Sequence, residues 1–428
     1  MLDIKLIREN PELVKENLKR RQDSEKLRWV DELLKYDKKR RETIAKVNEL
    51  RKQRNELTEK IAELKKKGES VDNIIKKVKS IPEEIKKLEE ELAEYEEKVQ
   101  YYLLRLPNLL HESVPYGKDD SENVVVRIVG KPPKFNFQPK NHLEILQNLG
   151  LIDIERAAKV AGNGFYYLKE ELVLLDHALQ MFAIDRLRKK GYKLIQPPYM
   201  LRKQAYMGVT DLDAFHDVLY KIEDEDLYMI ATAEHPIGSM FMDEVFTKKD
   251  LPLKLIGTSP CFRKEVGSHG KYTKGLFRVH QFHKVEQFIF CLPEQSWQLH
   301  EELQKNSEEL YQELGLHYRV VNVCTGDIGA IAAKKYDIEV WMADNQFRES
   351  GSNSNCTDYQ ARRLNIKYRE KEGQAPVGFV HTLNNTAIAT SRTIIAIIEQ
   401  YQQKDGSIEI PKALRPFMNG IEVIEKNK

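Results

Sequence analysis

The segment from Lys26 to Leu106 constrains the fold more than any other, because it can bury an apolar face only as two long helices. From Lys26 to Lys67 there is neither glycine nor proline, and strong helix formers dominate. Val30, Leu34, Ile44, Val47, Leu50, Leu57, Ile61 and Leu64 supply its apolar residues. Lys67-Gly68-Glu69-Ser70 then signals a turn, with Gly68 placed to close the first helix. After it the pattern sharpens: Val71, Ile74, Val78, Ile81, Ile85, Leu88, Leu92, Tyr95, Val99, Tyr102 and Leu106 alternate in steps of three and four, the seam of a coiled coil. Pro82 inside that seam predicts a kink, or a restart capped by Ser80. Two helices joined by a short turn make an antiparallel hairpin, and an arm of about 40 residues reaches roughly 60 Å. So narrow a seam supports no catalytic pocket. The arm is a structural lever, an oligomerisation device or a reader of something long.

Charge separates the two arms. Lys26–Lys67 carries 15 Lys/Arg against 8 Asp/Glu, whereas Glu69–Leu106 carries 7 against 10. The net charge of +2 hides this asymmetry. A basic arm suits a phosphate backbone, and a solvated helical face would carry the same composition. No apolar run approaches the roughly 20 residues needed to span a bilayer, so no membrane association is expected. The N-terminal MLDIKLIRENPEL is too polar for a secretory signal, which predicts a cytoplasmic protein. Cys261, Cys291, Cys324 and Cys356 include no Cys-x-x-Cys pair, so neither zinc nor a disulfide framework is expected.

Residues 1–20, broken at Asn10-Pro11, read as two small helices, and residues 1–106 as one helical domain. A Pro- and Gly-bearing linker covers 107–123, and a second domain covers 124–428. In that domain strands are expected at Val124–Val129, Tyr192–Gln196, Tyr228–Ile230, Lys254–Thr258, Arg278–Phe290, Tyr318–Val323, Asp337–Trp341 and Gly378–Leu383. Helices are expected at Asn141–Leu149, Asp153–Val160, Leu172–Lys190, Pro293–Leu314 and Ser391–Gln402. The strands come in adjacent runs rather than strict alternation with helices. The fold class is therefore α+β: a long antiparallel helical hairpin, then a mainly antiparallel sheet flanked by helices.

Neither a GxxxxGK[ST] loop nor a GxGxxG turn after a strand is present, so a nucleotide site here must be built from side chains on a sheet. Pro260–Glu286 reads PCFRKEVGSHGKYTKGLFRVHQFHKVE, two strands around a Gly-punctuated loop. His381–Tyr401 reads HTLNNTAIATSRTIIAIIEQY, a strand running into an apolar helix that opens with Arg392. An arginine from each segment suits the grip on a bent triphosphate while its α-phosphorus is attacked. Glu265 is expected on the same strand face as Arg263, where it accepts from an adenine amino group. Phe282 stacks the base, with Arg278 and His280 alternating nearby. Glu349 and Ser352 offer a carboxylate and a hydroxyl for Mg²⁺ on phosphate oxygens. Taken singly, Phe262-Arg263-Lys264-Glu265 also suits a charged surface strand, and Arg392 an ordinary helix start.

Taken together, these motifs resemble the class II seryl-tRNA synthetases of the ordinary, coiled-coil-bearing kind, and the similarity runs over essentially the whole chain. Leu172–Pro198 resembles the family's motif 1, with Pro198 at a dimer interface. Pro260–Glu286 resembles motif 2, and Thr382–Tyr401 resembles motif 3. Thr232-Ala233-Glu234 is similar to the serine-binding loop, and Asn353–Arg363 to the SNxxDxQARR stretch. Asn353 stands where the family usually has cysteine. The continuation His235-Pro236-Ile237-Gly238 resembles archaeal members.

The resemblance implies a ligase that joins serine to tRNA(Ser), and to tRNA(Sec) where that tRNA exists. ATP is then a substrate and Mg²⁺ the cofactor. Arg263, Arg392 and Glu349 are the expected catalytic groups. Thr232, Ala233, Glu234, Arg263, Glu286, Asn384 and Thr386 would surround L-serine. Arg263, Lys264, Glu265, Arg278, Val279, Phe282, Glu349, Ser350, Gly351, Ser352 and Arg392 would hold ATP, with Glu349 and Ser352 on the metal. The family further implies a homodimer whose hairpin grips tRNA. Lys35, Lys38, Lys39, Arg40, Arg41, Arg51 and Arg54 are the expected footprint of the long variable arm, read by shape and phosphate.

Overall fold

The structure is a computed structural model that describes residues 1–211, 217–265 and 275–426. The chain forms two compact units, Met1–Pro107 and Asn108–Lys428. In the first, α1 (Ile4–Glu9) and α2 (Pro11–Arg20) precede the hairpin of α3 (Leu27–Lys66) and α4 (Asp72–Arg105). Asn10 serves both short helices, ending α1 and accepting the Leu13 N–H at the start of α2. The hairpin turn is a Schellman closure. Gly68 takes φ +72°, while its N–H and that of Glu69 bond back to the carbonyls of Lys65 and Leu64.

The restart at Pro82 does not occur: α4 runs through it without interruption. Ser80 caps nothing; its hydroxyl donates to the Lys77 carbonyl. Pro82 forfeits one helical N–H, but Ile81 and Ile85 beside it are buried against Val47. Burying each such side chain contributes about 1.5–3 kcal/mol, enough to offset the loss of one hydrogen bond.

The second unit is built on an eight-stranded sheet. Its strands are β1 (Val124–Val129), β2 (Lys193–Ile195), β3 (Leu253–Phe262), β4 (Gln281–Cys291), β5 (Tyr318–Asn322), β6 (Lys334–Trp341), β7 (Phe347–Asn355) and β8 (His381–Ala389). They lie in the order β1-β5-β6-β7-β8-β4-β3-β2, and only β2 and β3 pair in parallel. One face is covered by α6 (Glu171–Lys189), α7 (Ser296–Glu313) and α8 (Thr390–Gln400), and α5 (His142–Leu149) packs against α8. Phe182, Ile289, Leu303, Ile394 and Ile397 sit in the core there, all fully buried. The opposite face is partly covered by a second core around Phe288 and Phe290, which packs on Ala233, Ile237 and Leu364, and the rest of it carries the polar residues of the site.

Three strand expectations are corrected. The run before the motif 2 loop ends at Phe262, so Arg263 and Glu265 do not share a strand face; Glu265 turns away with φ +46°. The return strand begins at Gln281 rather than Arg278, because Arg263 N–H bonds to the His280 carbonyl and closes the ladder there. The loop that joins them falls partly on residues 266–274, outside the described residues. Finally, FRESGSNSN forms a central strand, β7, that its composition conceals, since it has no β-branched residue.

Candidate active site

Alternation along the central strands assembles the site. On β4, Phe282, Lys284 and Glu286 share one face, and on β8 Asn384 and Thr386 do the same. Register sets Thr386 opposite Glu286 and Asn384 opposite Ser354. Glu349 and Ser352, three apart, would ordinarily point to opposite faces. A bulge at Ser350 corrects this: Ile338 pairs with Gly351 but Glu339 pairs with Glu349. The Ser352 hydroxyl then lies 3.3 Å from Glu349 Oε1, and it also donates to Asp337 Oδ1 across the ladder. The displaced Ser350 is buried, with its hydroxyl 2.7 Å from that of Tyr311.

A cleft on this face is lined by Arg263, Glu265, Val279, Phe282, Glu349, Ser350, Gly351, Thr386 and Arg392, together with Phe277 and Lys284. The Arg263 guanidinium stands 5.3 Å from the centre of the Phe282 ring, and its Nε donates to the Ala231 carbonyl. Arg392 lies over Phe277 at 4.6 Å and donates to the Glu349 carbonyl at 2.6 Å. Burial would raise the Glu349 carboxyl, but Arg392, Lys335 and Arg263 hold it well below the usual range. Burial, with Glu349 adding to it against Lys335, pushes the neighbouring Asp337 up.

Beside the cleft is a buried cluster of polar side chains. Glu286 pairs with Lys284 at 2.6 Å and lies 3.5 Å from the Thr386 hydroxyl. Glu234 opens a short helix, Glu234–Ser239, and accepts from Asn384 and Gln360 at 3.0 and 3.2 Å. Thr232 accepts the Glu234 N–H. That helix can lie against β3 only because residue 257 is glycine; a Cβ there would meet Ile237 Cδ1 at 2.3 Å and Ala233 Cβ at 2.9 Å. Burial, then Glu286, raises the Glu234 carboxyl to about 7, and burial also raises Glu286. Two carboxyl groups lie within the influence of Lys284 and Arg263, so groups of both signs meet at the edge of the cleft, as recognition of a small zwitterion requires.

Three of the residues expected to hold ATP stand outside the cleft lining. Lys264 reaches over Tyr220 at 5.9 Å, Arg278 pairs with Glu265 at 3.7 Å, and Ser352 faces Asp337. Sequence reasoning missed Lys284, Asp337, Gln360 and Phe277. Only Lys284 left a signal: it is two residues before Glu286, hence on its face of the strand.

In the hairpin unit, Asp37 is buried and gathers Arg8 at 2.6 Å, Arg40 at 3.2 Å and Arg41 at 3.1 Å. Burial would raise its carboxyl, but these guanidinium groups, Arg8 first, hold it below the usual range. Arg51 crosses to Glu89 at 2.7 Å. Lys35 and Lys39 lie over Tyr36, each at 5.8 Å. Lys35, Lys38, Lys39, Arg41, Arg51 and Arg54 are exposed, whereas Arg40 is half-buried.

Two buried histidines set an acid limit on the fold. Burial lowers His235 to about 3, helped by Lys284 and Arg263, and lowers His300 to about 4. An unfolded chain takes up both protons near pH 6.5, so these rings cost stability as pH falls from about 6.5 toward 4. Glu234 works in the opposite direction, costing stability as pH rises from about 4.5 to 7. His300→Gln, which preserves a donor to the Asn353 carbonyl, is expected to flatten the loss of urea midpoint between pH 7 and 4.5. An unchanged slope relative to the parent would exclude His300.

Two family models match the chain: Seryl-tRNA synthetase N-terminal domain over residues 1–110, and tRNA synthetase class II core domain (G, H, P, S and T) over residues 220–401. The chain is similar to the serine–tRNA ligase of Methanocorpusculum labreanum, 55% identical over 425 residues, covering 99% of this chain and 100% of the relative. Among solved structures it is similar to seryl-tRNA synthetase from Pyrococcus horikoshii complexed with ATP. There the TM-score is 0.95 and the identity 51%, with all of both chains covered. It is also similar to cytoplasmic serine–tRNA ligase from Naegleria fowleri in complex with AMP, with TM-score 0.89 and 37% identity over 100% of this chain and 99% of that one.

Proposed function

We propose, from the premise that the chain belongs to the class II seryl-tRNA synthetases, a family of aminoacyl-tRNA ligases, that the cleft activates L-serine with ATP and passes it to the 3′-terminal adenosine of tRNA(Ser). The observation that carries this reading is the meeting of Arg263 and Arg392, distant in the chain, in one cleft with Phe282 and Glu349. In the first step a serine carboxylate oxygen bonds to the α-phosphorus of ATP and the bond to pyrophosphate breaks. In the second, a terminal ribose hydroxyl takes the acyl group and AMP leaves. Arg263 holds the carboxylate beside the α-phosphate, so that attack is pre-aligned. Arg392 neutralises charge on the outer phosphates. Phe282 stacks the adenine, and Glu265 accepts from its amino group.

Serine suits the polar cluster. Glu286 and Thr386 take its hydroxyl and ammonium group, with Glu234 alongside. Alanine would leave these buried groups unpaired, a penalty that discriminates strongly, whereas threonine is excluded sterically. Glu349 and Ser352, with Asp337 beside them, make a hard-oxygen donor set. These groups would hold Mg²⁺, and the ion when bound would offset phosphate charge.

The basic face of the hairpin is read as the footprint of the tRNA(Ser) variable arm, and the same reading extends to tRNA(Sec). A homodimer is supported by apolar residues left exposed on and after α6: Val173, Leu174, Met181, Leu194 and Met200. The protein is taken to act in the cytoplasm; no described helix is long and apolar enough to cross a membrane. The test is ATP–pyrophosphate exchange with a panel of amino acids, followed by charging of tRNA(Ser). Serine alone is expected to support exchange above background. Exchange with another amino acid instead, or transfer only to a carrier protein, would overturn the reading.

A further inference from the structure

We propose that His142 is a positioning residue for the nucleotide-side arginine, acting through the Phe277 ring beneath Arg392; this rests on the reading of Arg392 as a phosphate ligand. His142 opens α5 and does not itself line the cleft; it is 2% exposed and sits against Glu399, which is fully buried. Glu399 Oε1 accepts from the His142 backbone N–H at 2.9 Å and lies 3.0 Å from its Nδ1. The other oxygen, Oε2, accepts the Ala343 N–H at 2.8 Å. On the far side of the ring, Nε2 accepts the Leu276 N–H at 3.4 Å. A ring nitrogen that accepts a backbone N–H carries no proton, so this network assigns the imidazole proton to Nδ1, where it is donated to Glu399.

Gly275 supports the same contact. It takes φ +78°, and a Cβ there would lie 2.4 Å from His142 Nε2, so the chain passes the imidazole edge as closely as it can. The next residue but one is Phe277, whose ring carries Arg392 at 4.6 Å. Arg392 and Glu399 lie two turns apart on α8, on one helical face. One histidine therefore joins both supports of the guanidinium: the helix that carries it, through Glu399, and the ring it rests on, through Leu276. A ring held at fixed height presents the cation in one place, and ATP binding then loses less side-chain freedom.

The experiment uses the full chain in serine-dependent ATP–pyrophosphate exchange, titrating ATP at saturating serine and serine at saturating ATP. His142→Ala is expected to raise the KM for ATP about tenfold and to leave that for serine within about twofold. His142→Gln, whose amide oxygen can accept the Leu276 N–H, is expected to recover most of the loss. Phe277→Leu removes the platform without touching the imidazole, and it is expected to reproduce the ATP defect; it decides the matter if His142→Ala does not fold. Unchanged ATP dependence in folded His142→Ala and Phe277→Leu, or equal rises for both substrates, would overturn the proposal. Arg392→Ala is the control. If it leaves ATP dependence unmoved, the nucleotide reading fails and takes this inference with it. If it raises the KM for ATP while the other two variants do not, only the role of His142 is lost.

Discussion

Arg263→Ala is expected to reduce serine-dependent ATP–pyrophosphate exchange by about 10³-fold or more, in a protein that still folds. An arginine fork aimed at developing charge in a water-poor site contributes several kcal/mol, and each 1.36 kcal/mol is tenfold in rate. Arg263 has a second duty, because it lowers the charging cost of both Glu234 and Glu286. Its removal therefore leaves two buried carboxyl groups with Lys284 as the remaining close cation. Lysine at 263 restores charge without the fork and is expected to recover little of the rate. Folding is checked by the thermal melt. Near-normal exchange in a folded alanine variant would refute the role, and with it the assignment of the cleft.

Removal of residues 1–107 is expected to leave exchange within a few-fold of the parent while charging of tRNA(Ser) falls by 10²-fold or more, a scale set by the loss of several phosphate contacts. Every residue lining the cleft belongs to the other unit, which has its own core. The whole first unit is removed because Ile7, Val14 and Leu18 are fully buried beside the hairpin; cutting α3 and α4 alone would strip their cover. A subtler version keeps the fold and replaces Lys35, Lys38 and Lys39 by glutamate. That variant is expected to weaken tRNA binding and flatten its salt dependence, since each phosphate contact adds to the slope. Full-rate charging without the hairpin would dismiss it as the reader.

The parts of the molecule that were legible in advance are those whose information is local. The seam from Val71 to Leu106 repeats every three or four residues, so its partner and its turn followed from period and from Gly68. Pro82 shows the limit of such reasoning: local propensity allows the helix to restart there, yet it continues, with Ile81, Ile85 and Val47 packed together beside the proline. The motif 2 strands were legible at their apolar centres and not at their ends, because Arg263 N–H finds the His280 carbonyl only once the two strands are paired.

The amino-acid order alone determined the helical hairpin, the antiparallel sheet class and the segments that bear Arg263, Glu349 and Arg392, since periodicity and residue chemistry survive in one dimension. Only the tertiary structure decided which side chains meet. A bulge at Ser350 turns Glu349 and Ser352 to one face, Asp337 arrives from the adjacent strand, and Lys284 neutralises Glu286 beneath Thr386. These encounters depend on register between strands far apart in the chain. Slipping a strand by a single residue reverses which side chains face the cleft, and that choice is made by packing across the sheet rather than by any neighbour in sequence.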